Sequence, residues 1–243
     1  HSLGVAAGIV LFAAIVAAIV GIIWQARLAR GEARRADRVK SFLIELFREA
    51  DPSQTLGETI TAREILEKGA ARLEEQLVEE PAVRAELLDA IAQVERNLGL
   101  LEPAAKRADA VLALRRLGAA GAPRDLAASL VTRAEILFDQ GELAPARAML
   151  DEARRIAPGI DSIATALGRR WCEVRYGVLG QQLDVTEAEN LARQALAAAQ
   201  ARPEPDPLEV VHWQLGLAGL LMDSSRVAEA EPLVRAALPA LAE

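Results

Sequence analysis

The side chains of this 243-residue chain best suited to catalysis or metal binding are two histidines, His1 and His212, a single cysteine, Cys172, and a scatter of carboxylates. Acid–base catalysis by His212 would need a positioned partner, and a zinc site would need three or four ligands. Only Trp213 stands beside it, with no second His or Cys near in sequence, so a packing or partly exposed role is expected. Cys172 falls among apolar residues, which predicts a buried, inert thiol, and one cysteine rules out an intramolecular disulfide. The acidic pairs Glu74-Glu75 and Glu79-Glu80 read as a solvated helix face. No phosphate-cradling glycine loop and no Ser-His-Asp or Cys-His arrangement occurs. The reading is therefore no catalytic, cofactor-binding or metal-binding residue in this segment. A formal charge of -7 also speaks against nucleic acid, which calls for a basic face.

The elements that would carry these residues are helical. Apolar residues make up 52% of the chain and aromatics only 3%, most of the apolar weight being Ala and Leu. Small, straight side chains favour closely packed helices over sheets. From Leu3 to Trp24 no residue is charged. Twenty-two helical residues span about 33 Å, close to a bilayer core, so 3–24 is expected to be a transmembrane helix. A signal peptide would show a basic start, a shorter apolar run and a small-x-small cleavage site. Gly4 and Gly8 form a GxxxG that could pack two such helices into a homodimer, against the alternative that small residues are simply common in this Ala-rich stretch. The flank behind Trp24 carries Arg27, Arg30, Arg34, Arg35, Arg38 and Lys40 against Glu32 and Asp37. Taken alone it would lie in the cytoplasm, but the rule compares two flanks and only one is in view.

Residues 25–50 are expected to continue as a basic amphipathic juxtamembrane helix, with Val39, Phe42, Leu43, Leu46 and Phe47 at helical spacing until Asp51-Pro52-Ser53 breaks it. Residues 51–80 read as a linker and capping helix. Thr61 and Glu64 have capping-box spacing, with Ile60 and Ile65 placed for a hydrophobic staple. From 81 to 243 the chain repeats itself four times with a period of 42, truncation at the end being allowed for. Ala104, Ala146, Ala188 and Ala230 form one column, and Leu101, Leu143, Val185 and Val227 stand three residues before them. Ala108, Leu150, Ala192 and Val234 follow four residues after, then Val111, Ala153, Ala195 and Ala237. An apolar helix precedes each unit's column, and Gly99 and Gly141 mark the turn between the two helices, where the later units have Leu183 and Ser225.

This pattern resembles the tetratricopeptide repeat (TPR), whose small residue in the second helix allows close helix approach and whose closing proline is matched by Pro158. Units of 42 residues look like the longer variant of kinesin light chains. The resemblance implies an all-α fold, an α-solenoid of TPR-like helix pairs following the transmembrane helix. A second resemblance lies in VKSFLIELFREADPSQTLGETITAREILEKGAARLEEQL, from Val39 to Leu77. It is similar to the segment joining membrane helix and TPR array in bacterial membrane-anchored serine/threonine protein kinases. That likeness implies a single-pass inner-membrane protein of a bacterium with extracytoplasmic repeats. With His1 rather than Met at the start, it also leads us to expect a kinase domain before this segment. ATP and magnesium would enter only with that domain, since no H-R-D or D-F-G occurs here. The alternative is a stand-alone membrane-tethered TPR adaptor or chaperone dock.

In TPR proteins the first helix of each unit lines the concave face that takes a protein or peptide. In this register the polar candidates are Gln93, Arg96 and Asn97 in unit one, Glu135 and Asp139 in unit two, and Arg170, Glu173 and Gln181 in unit three. Their carboxylates would repel a peptide's terminal carboxylate, so a partner read through an internal segment or a folded surface is expected.

Overall fold

The computed structural model describes residues 61–118 and 122–241. The chain divides into two compact units, one ending at Arg72 and one beginning at Leu73. Of the first, the described part is the opening of helix α1 (Ala62–Gln76). Thr61 starts it with a reciprocal cap: its N–H donates to Glu64 Oε2 at 3.0 Å, and the Glu64 N–H donates to Thr61 Oγ1 at 3.3 Å. Two orphan donors of the first turn are thereby satisfied.

The second unit is helical throughout its described residues. After the end of α1 come α2 (Pro81–Asn97), α3 (Leu101–Arg116), α4 (Pro123–Asp139), α5 (Leu143–Ile156), α6 (Ala166–Gln181), α7 (Val185–Gln200), α8 (Pro207–Asp223) and α9 (Val227–Leu241). These are four antiparallel-type pairs, α2/α3, α4/α5, α6/α7 and α8/α9, joined by short turns. Proline opens α2, α4 and α8, where its missing N–H costs nothing. Thr165 and Asp206 cap α6 and α8 with side-chain oxygens.

Each pair turns the same way. Gly99, Gly141, Leu183 and Ser225, spaced by 42, all have positive φ, between 59° and 79°. The residue after each donates its N–H five residues back, Leu100 to Glu95, Glu142 to Leu137, Asp184 to Leu179 and Arg226 to Leu221, at 2.8–3.0 Å. That is the Schellman closure, which glycine adopts without penalty. Leu183 adopts it with a branched side chain that is 82% exposed, so the helix-pair geometry overrides local preference there.

Packing explains why the alanines recur. Ala104, Ala146 and Ala188 are fully buried and Ala230 nearly so, as are Val111, Ala153, Ala195 and Ala237 in the column seven residues on. A methyl at these points lets second helix and first helix close onto each other. Larger groups, Leu130, Leu150, Trp171, Trp213 and Leu217 among them, fill the core beside them. The Trp171 indole N–H donates to the Leu150 carbonyl at 3.0 Å, tying α6 to the preceding α5. First helices also approach one another along the stack, α2 with α4 and α4 with α6.

One expectation is corrected here. Among the described residues no helix is long and apolar enough to cross a membrane. The described helices run 14–17 residues and bury one face while charging another, whereas a crossing needs about 20 predominantly apolar residues. The localisation as a single-pass inner-membrane protein with extracytoplasmic repeats is therefore withdrawn. The segments 3–24 and 25–50, Gly4 and Gly8, and residues 51–60 of the linker lie outside the described residues.

Candidate functional site

A polar network, buried at its centre, joins the first helices of three successive units. It begins at Asp89 on α2, which accepts from the Gln93 amide at 2.9 Å, from the Ser129 hydroxyl at 3.0 Å and, at 3.5 Å, from the Thr132 hydroxyl. Thr132 Oγ1 accepts from Arg170 Nη2 on α6 at 3.1 Å. Arg170 then grips Glu135 with two parallel bonds of 2.7 Å, from Nε to Oε1 and from Nη2 to Oε2. On its other side Glu135 accepts from Arg96 Nη1 of α2 at 3.3 Å, while Arg96 Nε donates to Asp139 at 2.5 Å. Glu135, with only 5% of its side chain exposed, is thus met by a guanidinium on either side.

Burial works to lower the pKa of Arg170, but the hydrogen bonds and charge of Glu135, with Asp89 and Glu173 behind it, outweigh that and hold it above its usual value. Asp89, Glu135, Asp139 and Glu173 outnumber Arg96 and Arg170, so the face keeps a negative excess. Of the eight residues singled out from sequence, Gln93, Arg96, Glu135, Asp139 and Arg170 join this network. Asn97, Glu173 and Gln181 stand exposed around it. Asp89, Ser129 and Thr132 were missed, although Asp89 and Thr132 lie one turn before Gln93 and Glu135 on the same helix face.

Further along the row the character changes. Phe138 of α4 lies over Gly177 of α6, where a Cβ would come within 2.7 Å of its Cζ. Tyr176 leans from α6 to α8: its hydroxyl donates to the Gly216 carbonyl at 2.8 Å, and its ring meets Trp213 edge-on at 5.7 Å. Burial, and then the charge of Asp223, push its phenol pKa up. Cβ atoms added at Gly180 or Gly219 would meet nothing within 4 Å.

On the opposite side ion pairs tie each second helix to the unit that follows it. Arg133 on α4 pairs with Asp109 of α3 at 2.7 Å, and 42 residues later Arg175 on α6 pairs with Asp151 of α5 at the same distance. Arg175 also reaches Glu187 of α7 at 2.5 Å, and Glu187 receives Arg147 of α5 at 2.7 Å. Between α7 and α9, Arg226 holds Glu189 at 2.8 Å and Glu229 at 2.6 Å. These clamps join successive units, and the doubled Asp–Arg recurrence at 109/133 and 151/175 was the sequence signal for the first two.

Among the described residues the remaining reactive groups stand apart from this network. Cys172 is buried, its Sγ donates to the Asp161 carbonyl at 3.3 Å, and burial pushes its pKa up to about 12. His212 is exposed and meets Trp213 edge-on at 5.1 Å. Among the described residues no three His, Cys, Asp or Glu side chains cluster as metal ligands would.

Comparison with known proteins bears on the fold. No family model matches the sequence, and no curated protein does. Solved structures do match. BtubC (BKLC) from P. vanneervenii superposes with a TM-score of 0.67 at 18% identity, over 85% of this chain and 82% of that one. A putative kinesin light chain of Podosopora anserina with nearly identical TPR-like repeats gives 0.61 at 19% identity, over 83% and 95%. A point variant of that same light chain gives 0.63 at 17% identity, over 83% and 93%. The fold is a TPR-like helical solenoid.

Proposed function

We propose that the first-helix face of this solenoid is a protein-binding surface. The observation that carries the reading is the polar network from Asp89 through Arg170 to Asp139. It fixes the side chains of three successive units in one arrangement, so little side-chain entropy is left to lose when a partner docks. A solenoid also offers such a face over several units, which suits an extended segment better than a compact ligand. Arg96 and Arg170 are already neutralised by Glu135, so they are poor receptors for a terminal carboxylate, and the carboxylate excess favours a partner segment without one.

A finer reading makes this region the non-catalytic, partner-sensing half of a serine/threonine protein kinase. It rests on the resemblance of the stretch from Val39 to Leu77 alone. The runner-up is a stand-alone TPR adaptor or chaperone dock, which the same surface would serve equally well. The reading frame upstream of His1 separates them: kinase motifs support the first, a short start peptide the second.

The surface itself is tested with exposed residues that hold nothing together. An Asn97→Ala, Glu173→Gln, Gln181→Ala variant of the full chain, which touches no hydrogen bond of the network, should keep its melting temperature to within a few degrees and lose partners recovered by the wild type in a pull-down. Equal recovery of every partner would remove this face from consideration.

A further inference from the structure

One column of the repeat changes character in the middle of the array. Leu112 on α3, Arg154 on α5 and Leu196 on α7 stand 42 residues apart. The two leucines belong to the core, at 3% and 7% exposure. Arg154 instead keeps its side chain at the surface, 61% exposed, with the guanidinium 5.9 Å from the centre of the Trp171 ring. Where the leucine's volume is missing, a cleft of about 390 Å³ opens between α5 and α7, floored by Trp171 and Cys172 of α6. The turn after α5 forms one wall and is itself pinned. Its Asp161 carbonyl accepts from Cys172 Sγ at 3.3 Å, its Ile163 carbonyl accepts from Arg169 Nη1 at 3.3 Å, and the Ile163 side chain is buried.

The polar groups lining the cleft are of two kinds. Buried Arg175 and its partners are committed: Nη1 donates to Asp151 at 2.7 Å, Nη2 to Glu187 at 2.5 Å, and Glu187 also receives Arg147 at 2.7 Å. Only the Nε of Arg175, likewise buried, has no acceptor in the protein, a donor that the fold leaves unmet. The other groups keep capacity to spare. Asn190 and Gln194, one turn apart on α7, line the cleft with exposed amides that hydrogen-bond to no other described residue. Arg154 and Asp161 stand side by side, 3.2 Å apart at Nε and Oδ2, and a guanidinium has five donors and a carboxylate about four acceptor sites to share. A lone anion entering here meets Asp161, and a lone cation meets Arg154. A molecule that carries both charges on neighbouring atoms satisfies the two together.

We propose that this cleft is a binding site for a small zwitterion, a free α-amino acid with an apolar side chain. Arg154 and the amides of Asn190 and Gln194 take the carboxylate, Asp161 takes the ammonium group, and Ile163, Leu191 and Ala195 supply the apolar wall for the side chain. The volume stands at the low end of the range for small-molecule sites, about 300 to 1,000 Å³, and the few polar groups around an apolar wall are the usual make-up of one. A ligand held from both helices adds a link between α5 and α7 beside the Arg147–Glu187 pair. The site lies between second helices and does not depend on the first-helix face being a binding surface.

The test is calorimetric titration of the full 243-residue chain with L-leucine, L-methionine and L-phenylalanine, each beside its N-acetyl and its amide derivative, which imitate the last and the first residue of a peptide. At least one free amino acid should bind about tenfold tighter than both of its derivatives. Arg154→Leu, which gives the column its usual residue, should weaken that binding about tenfold or more and raise the melting temperature by filling the cleft. Asp161→Asn should bring the amino acid down to the affinity of its N-acetyl derivative. Asn190→Ala with Gln194→Ala, which breaks no hydrogen bond between described residues, should weaken binding about tenfold and keep the melting temperature within a few degrees. Binding of none of the three amino acids, binding of a derivative as tight as its parent, or binding that survives Arg154→Leu overturns the site. Should Arg154→Leu fail to fold, undiminished binding by the Asn190, Gln194 variant overturns it.

Discussion

Along the row of first helices, the first two junctions, α2 with α4 and α4 with α6, are closed by side chains at matching positions, an Arg–Glu pair and a phenylalanine ring, whereas at the third α6 and α8 carry glycines there, 180 and 219, that face open space, and Tyr176 bridges them one turn earlier. On the reverse side the contrast disappears. There α7 and α9 are clamped by Arg226 between Glu189 and Glu229, much as α5 and α7 are clamped by Arg147 and Arg175 around Glu187. A repeat array can therefore keep its stacking on one side and vary what fills the other. The side free to vary is the one on which partner recognition can be built, because the second-helix contacts and the buried alanine columns hold the units whatever stands at positions 180 and 219.

The sharpest way to break the comparison is to cut the closed region at its centre. Glu135→Ala leaves Arg96 and Arg170 without their shared carboxylate and should cost about 2 to 3 kcal/mol, measured as a lower denaturation midpoint. A stability unchanged from wild type would mean that the network orders side chains without holding the units together.

Paired glycine substitutions sharpen the contrast between the second and third junctions. Gly177→Ala drives a Cβ toward the Phe138 ring, which must swing away, so a loss of about 1 kcal/mol is expected. Gly219→Ala, the same change one unit later, meets open space and should raise stability by about 0.5 to 1 kcal/mol through helix propensity. Melting curves of the two variants should move in opposite directions. A common direction would mean that the two junctions are filled alike.

Acid should loosen the clamp between α7 and α9 on the reverse side, with the smallest effect of the series. The hydrogen bonds from Arg226, with Arg193 adding its charge, hold Glu189 and Glu229 below the ordinary glutamate range. A carboxylate whose pKa is depressed by folding contributes stability that is present above its unfolded value, about 4.3, and is lost as pH falls through the folded value. Arg226→Gln should therefore lower the melting temperature slightly at neutral pH, where these pairs are solvent-screened, and the gap to wild type should close as pH falls below about 4.3. A variant whose acid profile overlays that of the wild type would assign the clamp no role.

Much of this molecule was legible in its residues. The 42-residue columns of alanine marked where helices touch, since only small side chains can recur where two backbones close on each other, and Ala146 and Ala188 are fully buried. Gly99 and Gly141 marked turns, because a left-handed residue after a helix is most easily glycine. The same turn at Leu183 and Ser225 could be inferred only from their place in the repeat, as neither residue type asks for that backbone. Five candidate polar residues, Gln93 and Arg96 among them, followed from the face they occupy. What periodicity could not convey was which of them meet. Whether Arg170 faces water or Glu135 depends on a neighbour 35 residues away, and whether a glycine is filled or open depends on the residue across the junction. Sequence spacing fixes the face of a helix on which a side chain lies. The distance and angle between helices, set by the packed cores of all four units together, decide what that side chain touches.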